Sequence, residues 1–349
     1  MSAISPQSAA LIDERISWLD QEIEAALGSF STDLPLYDWE RYHLGWRDER
    51  LQPMPEPERK KHGGKRLRGV LTILACEAVG GPGRSAAAAG AAIELIHNFS
   101  LVHDDVEDND EARRHRPTVW KLWGIPQAIN VGSNMQALVD TALLRLQPSF
   151  PAERLVRAFH TVNRAVILMT EGQYLDMAAQ DAAEMSLADY FRMTGGKTAA
   201  LIEGALQLGS LLGTDDEAQI EHLAGFGRSF GLAFQCRDDY LGIWGEPERT
   251  GKPVGSDLLQ GKRSLPVVHG LSAAPAGTGD GDRLRRSLAA REVTHTLHLL
   301  GRLGTDSWVH ERVREHTTEA LQHLREAGIH GPAAGAIEEI ANYALGREH

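Results

Sequence analysis

The amino-acid sequence predicts an all-α protein folded as one helical domain. Three observations carry that. Ala, Leu and Glu dominate the long segments, and these residues lose little on entering a helix. Alternating β-branched runs, the mark of half-buried strands, are scarce. Gly and Pro cluster between the periodic segments and punctuate them. A chain of 349 residues allows one large domain or two ordinary ones. No period of 20–50 residues marks a repeat array. A single domain over 1–349, with its motif-bearing core at about 60–270, is the economical reading.

The elements follow in order. Met1 to Leu27 carries Asp13, Glu14, Asp20, Glu22 and Glu24 and reads as an amphipathic helix, without the apolar centre of a signal peptide. Pro53, Pro55 and Pro57 mark a loop before Gly63-Gly64. A helix is expected from Ala86 to about Asp108, with Ile93, Ile96, Phe99 or Ser100, and His103 at helical spacing. Glu171, Gln173 and Asp176 lie on a further helix. Gly195-Gly196 read as a break before Lys197. Helices are expected over Thr198–Leu212 and Arg228–Trp244, then a long loop through Gly245, Pro247, Gly251, Pro253 and Gly255. Ala274 to Gly281 reads as an exposed, mobile connection.

The formal net charge of −12 argues against a general nucleic-acid binder, though metal could invert the sign locally for an anionic ligand. Two lone cysteines, Cys76 and Cys236, make no disulfide framework, and a reducing cytoplasm fits. No apolar run reaches the roughly 18–20 residues of a membrane span, so no integral membrane contact is expected.

Two acidic clusters carry the chemistry. The first runs His103-Asp104-Asp105-Val106-Glu107-Asp108 and continues into Arg113, Arg114 and Arg116. The second contains Gln235, Asp238 and Asp239, followed by Lys252, Lys262 and Arg263. On a helix Asp104 and Asp108 share a face, and Asp105 turns about 100° away. Two carboxylates without His or Cys suit a hard cation such as Mg²⁺. Arginine forks nearby suit diphosphate oxygens. A solvated acidic helix end is the competing account, and the apolar flank Ile93–Val102 weighs against it.

The segment Glu94 to Asp108, continuing through Arg113-Arg114 and Arg116-Pro117-Thr118, resembles the first aspartate-rich region of trans-isoprenyl diphosphate synthases. Gly63-Gly64-Lys65-Arg66-Leu67-Arg68 resembles that family's basic motif, and Gly196-Lys197-Thr198 its mid-chain motif. Phe234 to Asp239, Thr250-Gly251-Lys252-Pro253 to Asp257, and Gly261 to Pro266 resemble its second region. Five motifs in order make the resemblance specific. It implies the isoprenoid synthase fold, a helical bundle around a deep central cavity, as a homodimer. It also implies condensation of an allylic prenyl diphosphate with isopentenyl diphosphate. By the same resemblance Asp104, Asp108 and Asp238 hold Mg²⁺. Arg113, Lys197, Lys252 and Lys262 bind the allylic diphosphate. Lys65, Arg68, His97 and Arg114 bind isopentenyl diphosphate, and Thr198 and Gln235 flank the reacting carbons. Phe99 and Ser100 bear on product length, and the pattern leans toward geranylgeranyl diphosphate over farnesyl or longer products.

The sequence departs from the family at four places. Gly242 stands where a third aspartate is usual, and Glu246, eight residues after Asp238, is expected two helical turns on and on the same face. That pattern also resembles the metal motif of class I terpene cyclases. Gly69 replaces a usual proline, and Ser133 a usual aspartate. Two rival readings follow from the resemblance: a cyclase acting on one diphosphate, and a non-catalytic subunit of a heteromeric synthase. A metal phosphohydrolase is remoter, since His97 and His103 do not share a face.

Overall fold

A computed structural model describes residues 4–30, 33–181, 184–247 and 253–346. Helix α1 (Pro6–Leu27) starts at Ser5, whose hydroxyl accepts from the Ser8 amide. Helices α2 (Pro35–His43), α3 (Glu56–His62) and α4 (Leu67–Ala78) lead to α5 (Gly83–Glu107). A two-stranded hairpin, β1 (Ala112–Arg113) against β2 (Arg116–Pro117), follows the first acidic cluster. Then come α6 (Val119–Trp123), α7 (Ile125–Leu144) and α8 (Ala152–Asp181). Helix α9 (Leu187–Thr194) passes through one π turn (Gly195–Ala199) into α10 (Ala200–Gly213), so the two glycines do not break the chain. Helix α11 (Glu217–Trp244) precedes α12 (Ser256–Gln260), α13 (Leu265–Ala273), α14 (Gly279–Ala289), α15 (Val293–Arg302), α16 (Thr305–Glu326) and α17 (Pro332–Leu345).

Helix α5 is the hub, with α1, α4, α7 and α10 packed around it. Its residues Ala86 to Ala92 are all Ala and Gly, which lets neighbouring backbones approach. Contrary to the sequence expectation, this helix is long and apolar enough to cross a membrane; 78% of its most apolar stretch is buried, as in the core helix of a globular protein. A second core joins α4, α10, α11, α16 and α17 through Leu71, Phe226, Phe230 and Ile337. Each such side chain contributes about 1.5–3 kcal/mol on burial.

Helix α11 begins eleven residues earlier than the sequence suggests, because the Asp216 carboxylate caps it by accepting from the Ala218 and Gln219 amides. Gly227 and Gly231 within it are crossing points, set against the backbones of Glu203 and Ala199. The exposed connection near 274–281 is shorter than expected, since Thr278 caps α14 through the Gly281 amide.

Candidate active site

Asp104 sits in the last turn of α5 and Asp108 caps it, with the Asp108 amide bonded to the Asp104 carbonyl at 2.8 Å. Burial pushes the Asp104 carboxyl up to about 6, and Glu107 and Asp108 add to the push while Lys197 opposes it. Asp108 is raised in the same way by burial, Asp110 and Asp176, against Lys197 and Lys262. Two carboxylates thus face each other's charge at the mouth of a buried helix. The donor set is oxygen-only, which fits a hard divalent cation such as Mg²⁺.

Lys197 is brought to these acids by the π turn, a local winding often found at functional sites. The turn lies hard against α8: a Cβ on Gly172 would come within 2.0 Å of the Lys197 amide nitrogen. Lys197 bonds the Asp176 carboxylate. Burial works against its charge, but Asp176, Asp104 and Asp108 outweigh burial and hold it above the ordinary lysine range. Asp176 therefore belongs to the site. The sequence places it on a helix with Gln173, but its lysine partner comes only from the fold. Gln173 donates to Glu107 at 2.6 Å, while Glu171 is exposed.

The adjacent Thr198 hydroxyl donates to Gln235 Oε1 at 2.8 Å, joining the π turn to α11. Gln235 in turn donates to Asp239 at 2.8 Å. Asp239 is buried and also accepts from the Tyr190 hydroxyl and the Leu265 amide, both at 2.6 Å. Burial raises it to about 7 despite those donors, with Asp238 adding. Asp239 is a brace to which sequence reasoning assigns no role, whereas Asp238, one residue earlier on α11, is exposed.

The basic residues form a separate group. Arg68 on α4 approaches His97 Nε2 on α5 at 3.4 Å, and its Nε has no partner among the described residues. Burial, then Arg68 and Arg114, keep the His97 imidazole well below its usual range, so it is neutral and can accept. Arg114 enters from the hairpin with left-handed backbone, lying where a side chain on Gly64 would be. Burial and neighbouring Arg66 and Arg113 lower it to about 10, with Glu94 and Asp105 only partly offsetting. Lys65 is exposed and within 5.9 Å of the Tyr343 ring. The other two hairpin arginines turn elsewhere. Arg113 Nε donates to buried Asp105 at 2.6 Å, and Arg116 bonds the Tyr42 and Arg47 carbonyls.

Four departures gain a physical account. The Gly69 amide donates to the buried Glu94 carboxylate at 3.0 Å, a bond proline cannot make. Ser133 is exposed in the middle of α7, at neither a helix start nor a buried wall, while neighbouring Asn134 bonds Glu40. At Gly242 a Cβ would lie 2.1 Å from the Asp257 carboxylate, so Asp257 fills the space a longer side chain would need. Glu246 corrects the sequence expectation: α11 ends at Trp244 and Gly245 is extended, so helical periodicity no longer sets Glu246 on Asp238's face. Lys262 is exposed, its amide bonded to the Asp257 carbonyl. Lys252 lies outside the described residues. Phe99 is buried in the main core with its ring 6.0 Å from that of His103. Ser100 is half-buried one turn below Asp104, its hydroxyl on the His97 carbonyl.

Residues 58–295 match the family described as Polyprenyl synthetase. The chain is 37% identical over 313 residues to a (2E,6E)-farnesyl diphosphate synthase of Mycobacterium tuberculosis, covering 88% of this chain and 85% of that protein. It is 41% identical over 239 residues to a geranylgeranyl diphosphate synthase of the same organism, covering 68% of this chain and 66% of that one. In three dimensions it is similar to a polyprenyl synthetase from Streptomyces coelicolor A3(2), with a TM-score of 0.86 at 33% identity over 97% of this chain and 99% of the other.

Proposed function

From the premise that this chain belongs to the polyprenyl synthetase family and is a trans-prenyltransferase, we propose that it condenses an allylic prenyl diphosphate with isopentenyl diphosphate to a longer linear trans product, most readily geranylgeranyl diphosphate. The observation that carries this reading is the second, separate cationic group. Arg68, His97 and Arg114 cluster under burial that disfavours their charge, and the Arg68 Nε has no partner among the described residues. Such a group is stabilised by an anion. A cyclase, which handles one diphosphate, has no use for it, and the end of α11 at Trp244 removes the helical spacing that tied Glu246 to Asp238 in that rival reading. The retained Asp104 and Asp108 weigh against a non-catalytic subunit.

In this reading Asp104, Asp108 and Asp238 hold Mg²⁺, which supplies charge stabilisation to the departing diphosphate. Lys197, and by resemblance Arg113, Lys252 and Lys262, take the remaining charge of the allylic diphosphate. For Arg113 this requires release from Asp105, or sharing with it. The C–O bond of the allylic substrate breaks, and the diphosphate leaves with the bonding pair. Lys65, Arg68, His97 and Arg114 hold isopentenyl diphosphate so that its double bond attacks the allylic carbon. The Thr198 and Gln235 oxygens lie beside the developing positive charge and stabilise it. A proton leaves the new chain to the departed diphosphate. The apolar walls keep water from the cation.

Ser100, on Asp104's face one turn down, leaves room for a growing chain, with Phe99 set back in the core; this favours the C20 product over C15. Ile129 on α7 and Val156, Ile167 and Tyr174 along one stripe of α8 are exposed, which supports a homodimer built on that face. The two buried free thiols suit a cytoplasmic location. The test is incubation with Mg²⁺ and farnesyl diphosphate, with and without isopentenyl diphosphate, read by mass spectrometry. A C20 linear diphosphate formed only with isopentenyl diphosphate is the expected result. A hydrocarbon or alcohol formed without it would overturn the reading in favour of cyclisation.

A further inference from the structure

Far from the acidic motifs, α11 and α16 bring two imidazoles and a carboxylate together. His222 Nδ1 and His323 Nδ1 are 3.3 Å apart. Glu326 Oε2 lies 3.5 Å from the same His222 nitrogen. The three ligand atoms all fall within 4.8 Å of one another. A tetrahedral metal with bonds of about 2.0–2.1 Å sets its ligand atoms roughly 3.3–3.4 Å apart. The two distances therefore match the edges of such a site.

The surroundings support a built site. Gln322 donates to Glu326 Oε1 at 2.5 Å, which leaves Oε2 directed at His222. Arg325 in turn donates to Gln322 Oε1 at 2.7 Å. Outer partners of this kind orient metal-binding carboxylates. The His323 ring lies over Gly225, where a Cβ would come within 2.6 Å of it. Leu223 and Phe226 on α11 pack in one core with Ala320 and Leu324 on α16, so the helices that carry the ligands are held in register. His222 and Glu326 remain partly exposed, which gives a metal ion and a completing water access from solvent. Asp238 is sixteen residues further along α11, about 24 Å along its axis, so the two metal-binding regions are independent.

We propose that His222, His323 and Glu326 form a second metal site, selective for a transition-metal dication such as Zn²⁺ and indifferent to Mg²⁺. Imidazole nitrogens favour zinc-like ions, whereas Mg²⁺ takes oxygen ligands. Binding through both Nδ1 atoms leaves each neutral imidazole with its proton on Nε2, so the Nδ1 proton that joins the pair is transferred to the Nε2 of its own ring by way of solvent. The site staples α16 to α11, the helix that carries the second acidic motif.

The full chain, stripped of metal with a chelator and held in excess Mg²⁺ to fill the oxygen sites, is titrated with Co²⁺. The expected result is strong visible absorption of four-coordinate Co²⁺ at one metal per chain, abolished by added Zn²⁺. His222→Gln with His323→Gln should remove it, and Gln322→Ala should weaken binding about tenfold. Zn²⁺ should also raise the unfolding temperature of the wild type but not of the double variant. Circular dichroism checks that each variant is folded. No absorption in the wild type, or absorption that survives in the folded double variant, overturns the proposal and leaves an imidazole pair joined by a hydrogen bond.

Discussion

Arg68 illustrates what one side chain contributes and what it costs. Burial lowers its guanidinium against the opposing charge of Glu94; it lies 3.4 Å from a neutral imidazole, with Nε unsatisfied among the described residues. A charge-assisted hydrogen bond to an anion contributes about 1.5–3 kcal/mol, or roughly tenfold to more than a hundredfold in affinity. Arg68→Leu is therefore expected to raise KM for isopentenyl diphosphate by that factor and leave KM for the allylic substrate unchanged. Steady-state kinetics with each substrate varied in turn check the split; a rise in both would place Arg68 elsewhere. At this scale much is legible in the sequence. Spacing and family resemblance name Asp104, Asp108, Lys197, Arg68, His97 and Arg114, and the fold groups them as acids with a lysine and as a separate cationic set. For Asp176 the sequence gives the helix but not the Lys197 partner 21 residues on, and Asp239 and Asp257 are not placed by sequence, because their partners lie 49 and 15 residues away and only packing joins them.

Among the elements, the π turn does the positioning. It presents Lys197 and Thr198 in consecutive positions toward two different helices. Its seat is a glycine on α8, where no side chain fits. Gly172→Ala should cost about 1–3 kcal/mol through overpacking and reduce kcat, because the Lys197 backbone must shift. Gly195→Ala, with open space around the added methyl, should leave both within error. Chemical unfolding and turnover measured on the two variants side by side test the assignment. In sequence Gly195-Gly196 reads as a break, since paired glycines usually end a helix; here Gly196 instead packs on the Leu168 carbonyl and Gly172. Likewise the glycines in the first half of α11 hide three turns of helix, because close crossings and breaks look alike in sequence.

For the molecule as a whole, buried acids set the response to pH. Glu40 is fully buried, bonded to Asn134 on one oxygen and unpartnered among the described residues on the other. Burial lifts it from 4.5 to about 7. Between those values the folded chain holds a proton that the unfolded chain has lost, so this group's contribution to stability falls as pH rises through that window. The loss is at most about 3.5 kcal/mol, since each pH unit of the window contributes about 1.4 kcal/mol. Glu40→Gln should remove it, so the variant should gain on the wild type between pH 5 and pH 8 in urea unfolding; parallel curves would refute the burial account. The all-helical architecture is legible throughout because amphipathic spacing is local. The apolar reach of α5 is not, since Glu94, His97 and Asn98 interrupt the apolar run in sequence and the span shows only when hydropathy is averaged along the whole helix. That helix has a consequence for how the chain is made. A segment with the composition of a membrane span leaves the ribosome before α7 and α10, which cover it, have been translated. Until then it is a sticky nascent stretch, so chain fragments ending ahead of Leu144 are poor candidates for expression, and the protein's most vulnerable moment comes midway through its own synthesis.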